Sequence, residues 1–261
     1  MKRFAMLLSL ATASFISNAQ ERLFTYTYQT DVLKKGSKAI DVWNTLRWQR
    51  SGYYRELDTR IEYELGLGHN LETAFFINTA ILSQDHNLKP VHHGALFSFS
   101  NEWKLKLGDA EHHRLGSAIF EEVSISAHEL KFETKLLLDK KLGRGLHALN
   151  LVHELGFAKA SEYDGVEGGT ENKLEIDYGL SLHAGKHLNL GLEMREDNVL
   201  IEHGKLEYSS LFAGPGLSYH HPHFGLNFTV LPQLYSFKGE TSHHLNLAQH
   251  EKVETRLIFS F

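Results

Sequence analysis

The chain ends in Val-Glu-Thr-Arg-Leu-Ile-Phe-Ser-Phe (253–261), and the character of the side chains alternates along this stretch. Leu257 and Phe261 fall on one face of a strand while Glu254 and Arg256 fall on the other, because successive side chains of a strand point in opposite directions. In a chain with an export signal, an alternating last strand that ends in an aromatic residue is typical of a bacterial outer-membrane β-barrel.

Residues 1–19 have the organisation of a cleaved secretory signal. Lys2 and Arg3 form a basic start, an apolar run follows, and small residues lead to a cleavage site near Ala19. The apolar run is shorter than the roughly 20 residues that a spanning helix needs. The sequence therefore predicts Sec-type export, signal cleavage, and a mature chain more acidic than the net charge of −5 for the whole.

The composition excludes several classes of protein. With no cysteine there is no disulfide framework, no thiolate chemistry and no lipidated cysteine. No basic block supports nucleic-acid binding, and we expect no cofactor. The mean hydropathy is −0.30. A barrel reconciles this value with a membrane location because only one face of each strand meets lipid.

The alternation recurs along the mature chain, most clearly at 56–67, 130–139, 173–183, 188–195 and 224–234. Weaker runs lie at 39–50, 71–82, 94–107, 115–126, 146–158 and 209–219. Together with the last strand, 250–261, they complete a set of twelve strands, with fourteen as the alternative count. The predicted fold is all-β, a closed antiparallel transmembrane β-barrel over 39–261.

The connections between these strands differ in length. Tight turns are predicted at 68–70, 143–145, 185–187 and 221–223, with a slightly longer one at 108–114. Longer links are predicted at 83–93, 159–171, 196–208 and 237–249, while 127–128 is short. Outer-membrane barrels keep short turns on the periplasmic side and long loops outside, so the last strand should end at the periplasmic rim.

Residues 20–38 precede the first barrel strand. Leu23–Tyr28 is predicted to form a short strand, and a turn is predicted between Asp31 and Lys38. We expect this segment on the periplasmic side or against the lumen.

A soluble sandwich or a lipocalin-like barrel would also alternate, with its apolar face turned inward. The strand length favours the membrane: runs of about 11 to 13 residues fit a tilted bilayer span, whereas soluble strands usually have about 5 to 6.

Four stretches resemble an uncharacterised family of bacterial outer-membrane β-barrels: residues 21–36 (ERLFTYTYQTDVLKKG), 54–64 (YRELDTRIEYE), 211–215 (LFAGP) and 227–232 (NFTVLP). The resemblance implies the barrel fold and carries no activity or catalytic residues. The Thr-Asp-x-Leu-x-Lys-Gly turn more distantly resembles barrels of the meta-pathway of phenol degradation, which implies a channel for hydrophobic compounds. Lys34 stands where those barrels usually have proline.

The polar face of the strands is rich in charge, and its members are the predicted lining of the lumen. These residues are Arg47, Glu56, Asp58, Arg60, Glu62, Glu64, Glu102, Lys104, Lys131, Glu133, Lys135, Glu175, Asp177, Glu193, Arg195, Glu254 and Arg256. They predict either a small polar pore with a cation bias or a lumen filled by cross-strand ion pairs. Strand 56–64 has four carboxylates and one cation. This wall is therefore expected to carry an uncompensated acidic surplus that attracts cations into the lumen.

Histidine is abundant, with eighteen residues. His183, His187, His221 and His223 fall near predicted periplasmic turns and are weak candidates for a metal site, since neutral imidazole binds zinc, copper and nickel. Most of these histidines are expected to be solvated turn residues, and no metal is assigned.

Four polar residues, Asn101, Ser117, Glu121 and His153, fall on the apolar phase of their strands. For Asn101, Glu121 and His153, a bulge or an error in the assigned register is the expected cause. A lipid-modifying enzyme could place catalytic groups on this wall, but His153 lies two strands from Glu121 and Ser117, and no Gly-x-Ser-x-Gly elbow occurs. No catalytic residue is assigned.

The sequence thus predicts a passive outer-membrane channel or transport barrel for small solutes, with an acid-rich lumen. The alternatives are a lipase- or deacylase-type membrane enzyme and a plugged structural or adhesion barrel. The expected partners are outer-membrane lipid, lipopolysaccharide and the barrel-assembly machinery, which would engage the last strand and Phe261.

Overall fold

The computed structural model describes residues 21–49, 53–86, 89–110, 114–159, 168–201, 204–238 and 252–261. The predicted signal lies outside these ranges. The twelve strands are β1 (Lys38–Gln49), β2 (Tyr54–Gly68), β3 (Leu71–His86), β4 (Lys89–Gly108), β5 (Gly116–Ser126), β6 (Glu129–Leu142), β7 (Gly145–Ala158), β8 (Gly169–His183), β9 (Leu188–Ile201), β10 (Lys205–His221), β11 (Phe224–Lys238) and β12 (Lys252–Ser260). In these ranges no helix is long and apolar enough to cross a membrane.

Each strand pairs antiparallel with its neighbours in the chain, and β1 pairs with β12 to close the barrel. Asp41 of β1 lies opposite Ser260 of β12 on one side and opposite Glu62 of β2 on the other. The prediction of a closed twelve-stranded antiparallel barrel is confirmed, and the alternative of fourteen strands is wrong for the described residues.

Several strands extend beyond the alternating runs from which they were predicted. β3 and β4 continue through most of the predicted link 83–93, and β9 and β10 through most of 196–208. The pairing goes on because backbone hydrogen bonds need no apolar side chains: Ser83 still lies opposite His93, and Glu196 opposite Leu211. The alternation of apolar and polar side chains is needed only where a strand faces lipid, whereas the backbone hydrogen bonds between strands continue beyond that region.

One end of the barrel, here called the turn end, carries the tight connections between β2 and β3, β4 and β5, β6 and β7, β8 and β9, and β10 and β11. The first of these turns places His69 and Asn70 at φ of 54° and 63°, the left-handed conformation that short hairpin turns require. The start of β1 and the end of β12 also lie there, and we call the opposite end the loop end.

The exposure of the side chains separates the outside of the barrel from its inside. Phe97 and Phe99 on the outer wall are 70% and 60% exposed, whereas Glu62 and Glu102 on the inner wall are 0% and 2% exposed. A soluble barrel would have the opposite arrangement, so that alternative is wrong. The outer wall has the apolar character of a lipid-facing surface.

We expect Ile77→Lys to destabilise the barrel by about 2–4 kcal/mol, because Ile77 projects outward from the middle of β3 and a lysine there would meet hydrocarbon. Urea unfolding in lipid vesicles measures the loss, with Ile77→Leu as the control. An unfolding free energy equal to that of the control would contradict a lipid-facing wall.

Candidate functional site

The N-terminal segment, residues 21–37, lies inside the barrel. Phe24, Tyr26 and Tyr28 are all buried, and each packs against a different part of the inner wall. Phe24 packs with Leu146 and Ala148 of β7. Tyr26 packs with Phe212 of β10 and Leu231 of β11.

Tyr28 packs with Trp43 and Phe120, and its ring lies edge-on to Phe120 at a centroid distance of 5.0 Å. The three aromatic residues of the segment therefore reach the wall in three directions, and the segment crosses the lumen.

The segment is not the strand that Leu23–Tyr28 predicted: residues 25–27 form bends, and that prediction is wrong. The physical reason is that its backbone amides bond side chains of the barrel wall. The Glu193 carboxylate accepts the amide N–H groups of Thr25, Tyr26 and Thr27 at 2.9, 2.7 and 2.9 Å. A strand cannot direct three successive amides at one carboxylate, because strand amides alternate in direction.

Three further wall residues continue this pattern of backbone recognition. The Asn150 amide group accepts from Tyr28 N–H at 2.6 Å and donates to the Tyr28 carbonyl at 2.9 Å. Asp139 accepts from both the backbone and the hydroxyl of Thr30, each at 2.8 Å. Glu72 accepts the amide of Leu33. Buried amides need such partners, and here buried carboxylates provide most of them.

Arg22 anchors the start of the segment. Its guanidinium lies 3.2 Å from Asp41, 3.2 Å from Glu64 and 3.7 Å from Glu62. Burial alone would lower the pKa of Arg22, but the three carboxylates raise it above its usual value. Glu62 also accepts the indole N–H of Trp43 at 2.7 Å.

Arg22 therefore compensates part of the acidic surplus expected of strand 56–64, and this cation comes from outside the strands. Lys104 likewise has a neighbouring partner, Glu72, at 2.8 Å. Among the described residues, Asp41, Glu62 and Glu64 form the one group of three whose ligand atoms lie close enough together for a metal ion. Arg22 already pairs with all three members of that group.

Glycines of the wall leave room for the segment. A Cβ built on Gly179 of β8 would lie 2.7 Å from the ring of Phe24. One on Gly116 would lie 2.8 Å from the Thr30 hydroxyl, and one on Gly66 would meet backbone of residues 33 and 34. The wall and the segment are therefore fitted to each other sterically as well as by hydrogen bonds.

Between the segment and the loop end, a continuous ion-pair network lines one side of the lumen. Arg47 bridges Glu56, Asp58 and Glu254, and Arg195 bridges Glu254 and Glu175. The network ends with Lys173, which lies 2.9 Å from Glu175 and 3.3 Å from Asp197.

The opposite side of the lumen has separate pairs. Arg60 reaches across to Glu122 at 2.7 Å, and Lys135 lies 2.9 Å from Glu133. Lys131 contacts Glu129 and Glu154 at 3.4 and 3.5 Å. Most charges on this half are thus compensated within the barrel, as buried charges require.

Between the segment and the loop end lie two cavities of about 330 and 350 Å³, lined by residues from both sides of the lumen. We call them together the vestibule. Tyr26, Tyr28 and Trp43 form the floor of the larger cavity, so the N-terminal segment closes it on the turn side. Arg47, Arg60, Lys131, Glu133, Glu154 and Arg256 line both cavities.

The structure distributes the predicted lumen residues between two layers. Glu62, Glu64 and Lys104 lie beside the segment toward the turn end, as do Glu102, Asp177 and Glu193, and all six are buried. The vestibule layer contains Arg47, Glu56, Asp58, Arg60, Lys131, Glu133, Lys135, Glu175, Arg195, Glu254 and Arg256. Whether these residues line a conducting path stays a prediction.

The predicted set omitted Asp139 and Asn150, which bond the segment, and Glu122, which pairs with Arg60. On β5 the inward phase of Glu122 also contains Ala118 and Phe120, which pack against Tyr28 and hide the polar pattern. A single polar residue among apolar inward positions, such as Asn150 on β7, is the sequence pattern that could have identified such residues.

Of the four histidines predicted as weak metal ligands, His187, His221 and His223 lie close to one another at the turn end. His187 and His221 have ring centroids 5.8 Å apart, and His221 and His223 are 6.3 Å apart. His183 bonds Asn189 through Nδ1, and His187 Nδ1 bonds the carbonyl of His220. A metal site at this rim stays a prediction.

Asn101, Glu121 and His153 lie in regular register on the outer wall, so the expected bulge or error in the assigned register is wrong for these three. At Ser117 the pairing of β4 with β5 does shift, between Lys106 and Gly108. Glu121 accepts from Thr134 at 2.8 Å, and His153 bonds Asn172 at 3.0 Å. Asn101 donates to the Ala74 carbonyl. Local hydrogen bonds thus satisfy these polar groups on an apolar wall, and none of those bonds joins His153 to a hydroxyl.

A closed barrel with an apolar outer wall and a charged interior is the architecture of the outer-membrane barrels. The chain matches the family of unknown function DUF6662 over residues 16–113 and 117–261, and it belongs to that family. The predicted resemblance to an uncharacterised barrel family agrees with this result, while the resemblance to phenol-pathway barrels stays a prediction. No curated protein gives a significant match.

Two solved structures share the fold. The NanC porin is 10% identical with a TM-score of 0.56, over 85% of this chain and 98% of that one. The translocator domain of the autotransporter NalP from Neisseria meningitidis is 11% identical with a TM-score of 0.52, over 89% and 90% of the two chains. At these identities the likeness shows the barrel fold alone.

We expect Gly179→Ala to loosen the segment, because the added methyl group would press on the Phe24 ring and overpacking costs about 1–3 kcal/mol. The chain has no cysteine, so Thr27→Cys provides a single buried reporter. Maleimide labelling of this reporter should accelerate about tenfold. Gly169→Ala on the same strand has open space and is the control. Equal labelling in both variants would contradict the packing of Phe24 against β8.

Arg22→Gln should weaken docking of the segment by about 3 kcal/mol, because it leaves three buried carboxylates without their cation. The Thr27→Cys reporter measures the change, with Arg144→Gln at a tight turn as the control. Adding Glu62→Gln to Arg22→Gln should restore part of the protection. A double variant labelled as fast as Arg22→Gln alone would argue against the ion pair as the cause.

Proposed function

We propose that the protein is a passive outer-membrane channel for small polar solutes, and that its N-terminal segment controls passage. The observation that carries the proposal is the position of this segment. It crosses the lumen between Glu193 and Glu72 and forms the floor of a vestibule on the other side. Short turns face the periplasm in outer-membrane barrels, so we place the turn end there and the vestibule toward the outside.

The attachment of the segment suits a gate better than a permanent plug. It is bound to the wall largely through hydrogen bonds between its backbone amides and wall carboxylates. Apart from its chain connection to β1, no disulfide fixes it, because the chain has no cysteine. Each such bond contributes about 1.5–3 kcal/mol at most, and water can replace it when the segment moves. The aromatic residues add apolar packing that favours the closed arrangement.

The same proposal includes the route to the membrane. Sec-type export with cleavage near Ala19, contact of the outer wall with lipid and lipopolysaccharide, and engagement of Phe261 by the barrel-assembly machinery all fit a barrel of this kind. The exposed apolar wall supports lipid contact.

Planar-bilayer recordings test the gate. Glu193→Ala removes the acceptor of three backbone amides, so the segment should leave the lumen more often and the conductance step should grow several-fold over the wild type. Glu196→Ala is the matched control, because Glu196 lies on the same strand and bonds Ser209 rather than the segment. The control should conduct like the wild type.

Other outcomes would favour the other two functions. A barrel that shows no conductance in wild type or in Glu193→Ala would be a structural or adhesion barrel. Release of fatty acid from mixed micelles that is lost in His153→Ala would identify a lipid-modifying enzyme.

A further inference from the structure

Arg256 differs from the other arginines of the lumen. Arg22, Arg47, Arg60 and Arg195 each form an ion pair with at least one carboxylate. Within the described ranges Arg256 forms none. Its Nε donates to the Thr45 hydroxyl at 2.8 Å, and its Nη1 donates to the Thr25 carbonyl at 2.9 Å.

Neutral groups therefore make the closest contacts of this guanidinium, and the carboxylates of Glu254 and Asp58 lie farther away. Its central carbon lies 3.8 Å from the centroid of the Tyr26 ring and 5.5 Å from that of Trp43. A cation over aromatic faces is stabilised without an anion, so the charge stays available to a ligand. The side chain is only partly buried and lines both cavities, at the floor of the vestibule.

The wall of the smaller cavity adds groups of a second kind. Hydroxyl and amide side chains of β1, β3, β4 and β5 line it, and hydroxyls both donate and accept hydrogen bonds: Thr45, Asn78, Ser98, Ser100, Ser124 and Ser126. A solute with several hydroxyl groups would find partners there. Arginine binds carboxylate more firmly than it binds neutral groups, because its donors are charged and match two oxygens at once.

We propose that Arg256 is the anion-binding group of the vestibule and that the solute is a small hydroxylated carboxylate, such as a sugar acid. This inference rests on the proposed channel function and names its solute class. The carboxylate would lie against the guanidinium at the floor, and the hydroxyl groups would face the serine-rich wall. Arg256 also donates to the carbonyl of Thr25 in the N-terminal segment. A solute bound to Arg256 would therefore contact a residue that is itself bonded to the proposed gate.

Calorimetric titration of the folded protein in detergent tests the site, with D-glucuronate as the probe and D-glucose as its neutral counterpart. We expect glucuronate to bind and glucose to bind at least tenfold more weakly. Arg256→Gln should lose at least tenfold in glucuronate affinity, and Arg256→Lys should fall between it and the wild type, because lysine keeps the charge without the planar fork.

Lys131→Gln removes the same charge from a residue that also lines both cavities but is ion-paired. Its loss of affinity should be smaller, and a loss equal to that of Arg256→Gln would overturn the proposal in favour of general attraction by positive charge. The Thr27→Cys reporter shows whether the segment stays in place in each variant. Equal binding of glucose and glucuronate would also overturn the proposal.

The recordings keep this inference separate from the channel itself. Glucuronate binding in a barrel that never conducts would refute the channel and leave the anion site standing. Conductance without glucuronate binding, and without block of the current by glucuronate, would refute the anion site and leave the channel standing.

Discussion

A charge inside a barrel wall has to find its partner inside the barrel, because the outside of the wall meets lipid. Glu193 shows the consequence most clearly. Its carboxylate is 2% exposed and accepts three consecutive backbone amides and two hydroxyls. Burial of this group without those donors would cost several kcal/mol. The buried carboxylate of the wall therefore needs the donors of the segment, and the buried amides of the segment need this acceptor.

The same constraint organises both layers of the lumen. Toward the turn end, inward carboxylates outnumber the cations of the strands, and the chain compensates by inserting Arg22 and a row of backbone amides. Toward the loop end, cations and carboxylates alternate between strands and pair with each other. Arg256 lies where the two layers meet. It is bonded to the segment on one side and open to the vestibule on the other.

Thr25 connects the proposed anion-binding site directly to the proposed gate. Thr25 contacts Glu193 through its amide and Arg256 through its carbonyl, so one residue of the segment joins the main anchor to the vestibule floor. A ligand that draws the Arg256 guanidinium toward itself competes with that carbonyl. A ligand can shift the equilibrium between the docked and the released segment only by the difference between its affinities for those two states.

The barrel could be predicted from the sequence because two-residue periodicity is a local property of a strand, and twelve alternating runs repeat it. The inward charges of β2 and β8 could be predicted for the same reason. The amide acceptor Asn150 and the ion-pair partner Glu122 could not, because apolar neighbours on their inward phase hide the alternation.

By itself, the sequence determined which residues alternate and which face carries charge, and it favoured twelve strands over fourteen. Only the tertiary structure decided which face lies inside, where residues 21–37 go and which charges are left without an ionic partner. Those outcomes depend on contacts between residues far apart in the chain, such as Thr25 with Glu193 and with Arg256. Periodicity carries no information on such contacts, because it describes each strand separately and the partners of a buried charge come from all around the lumen.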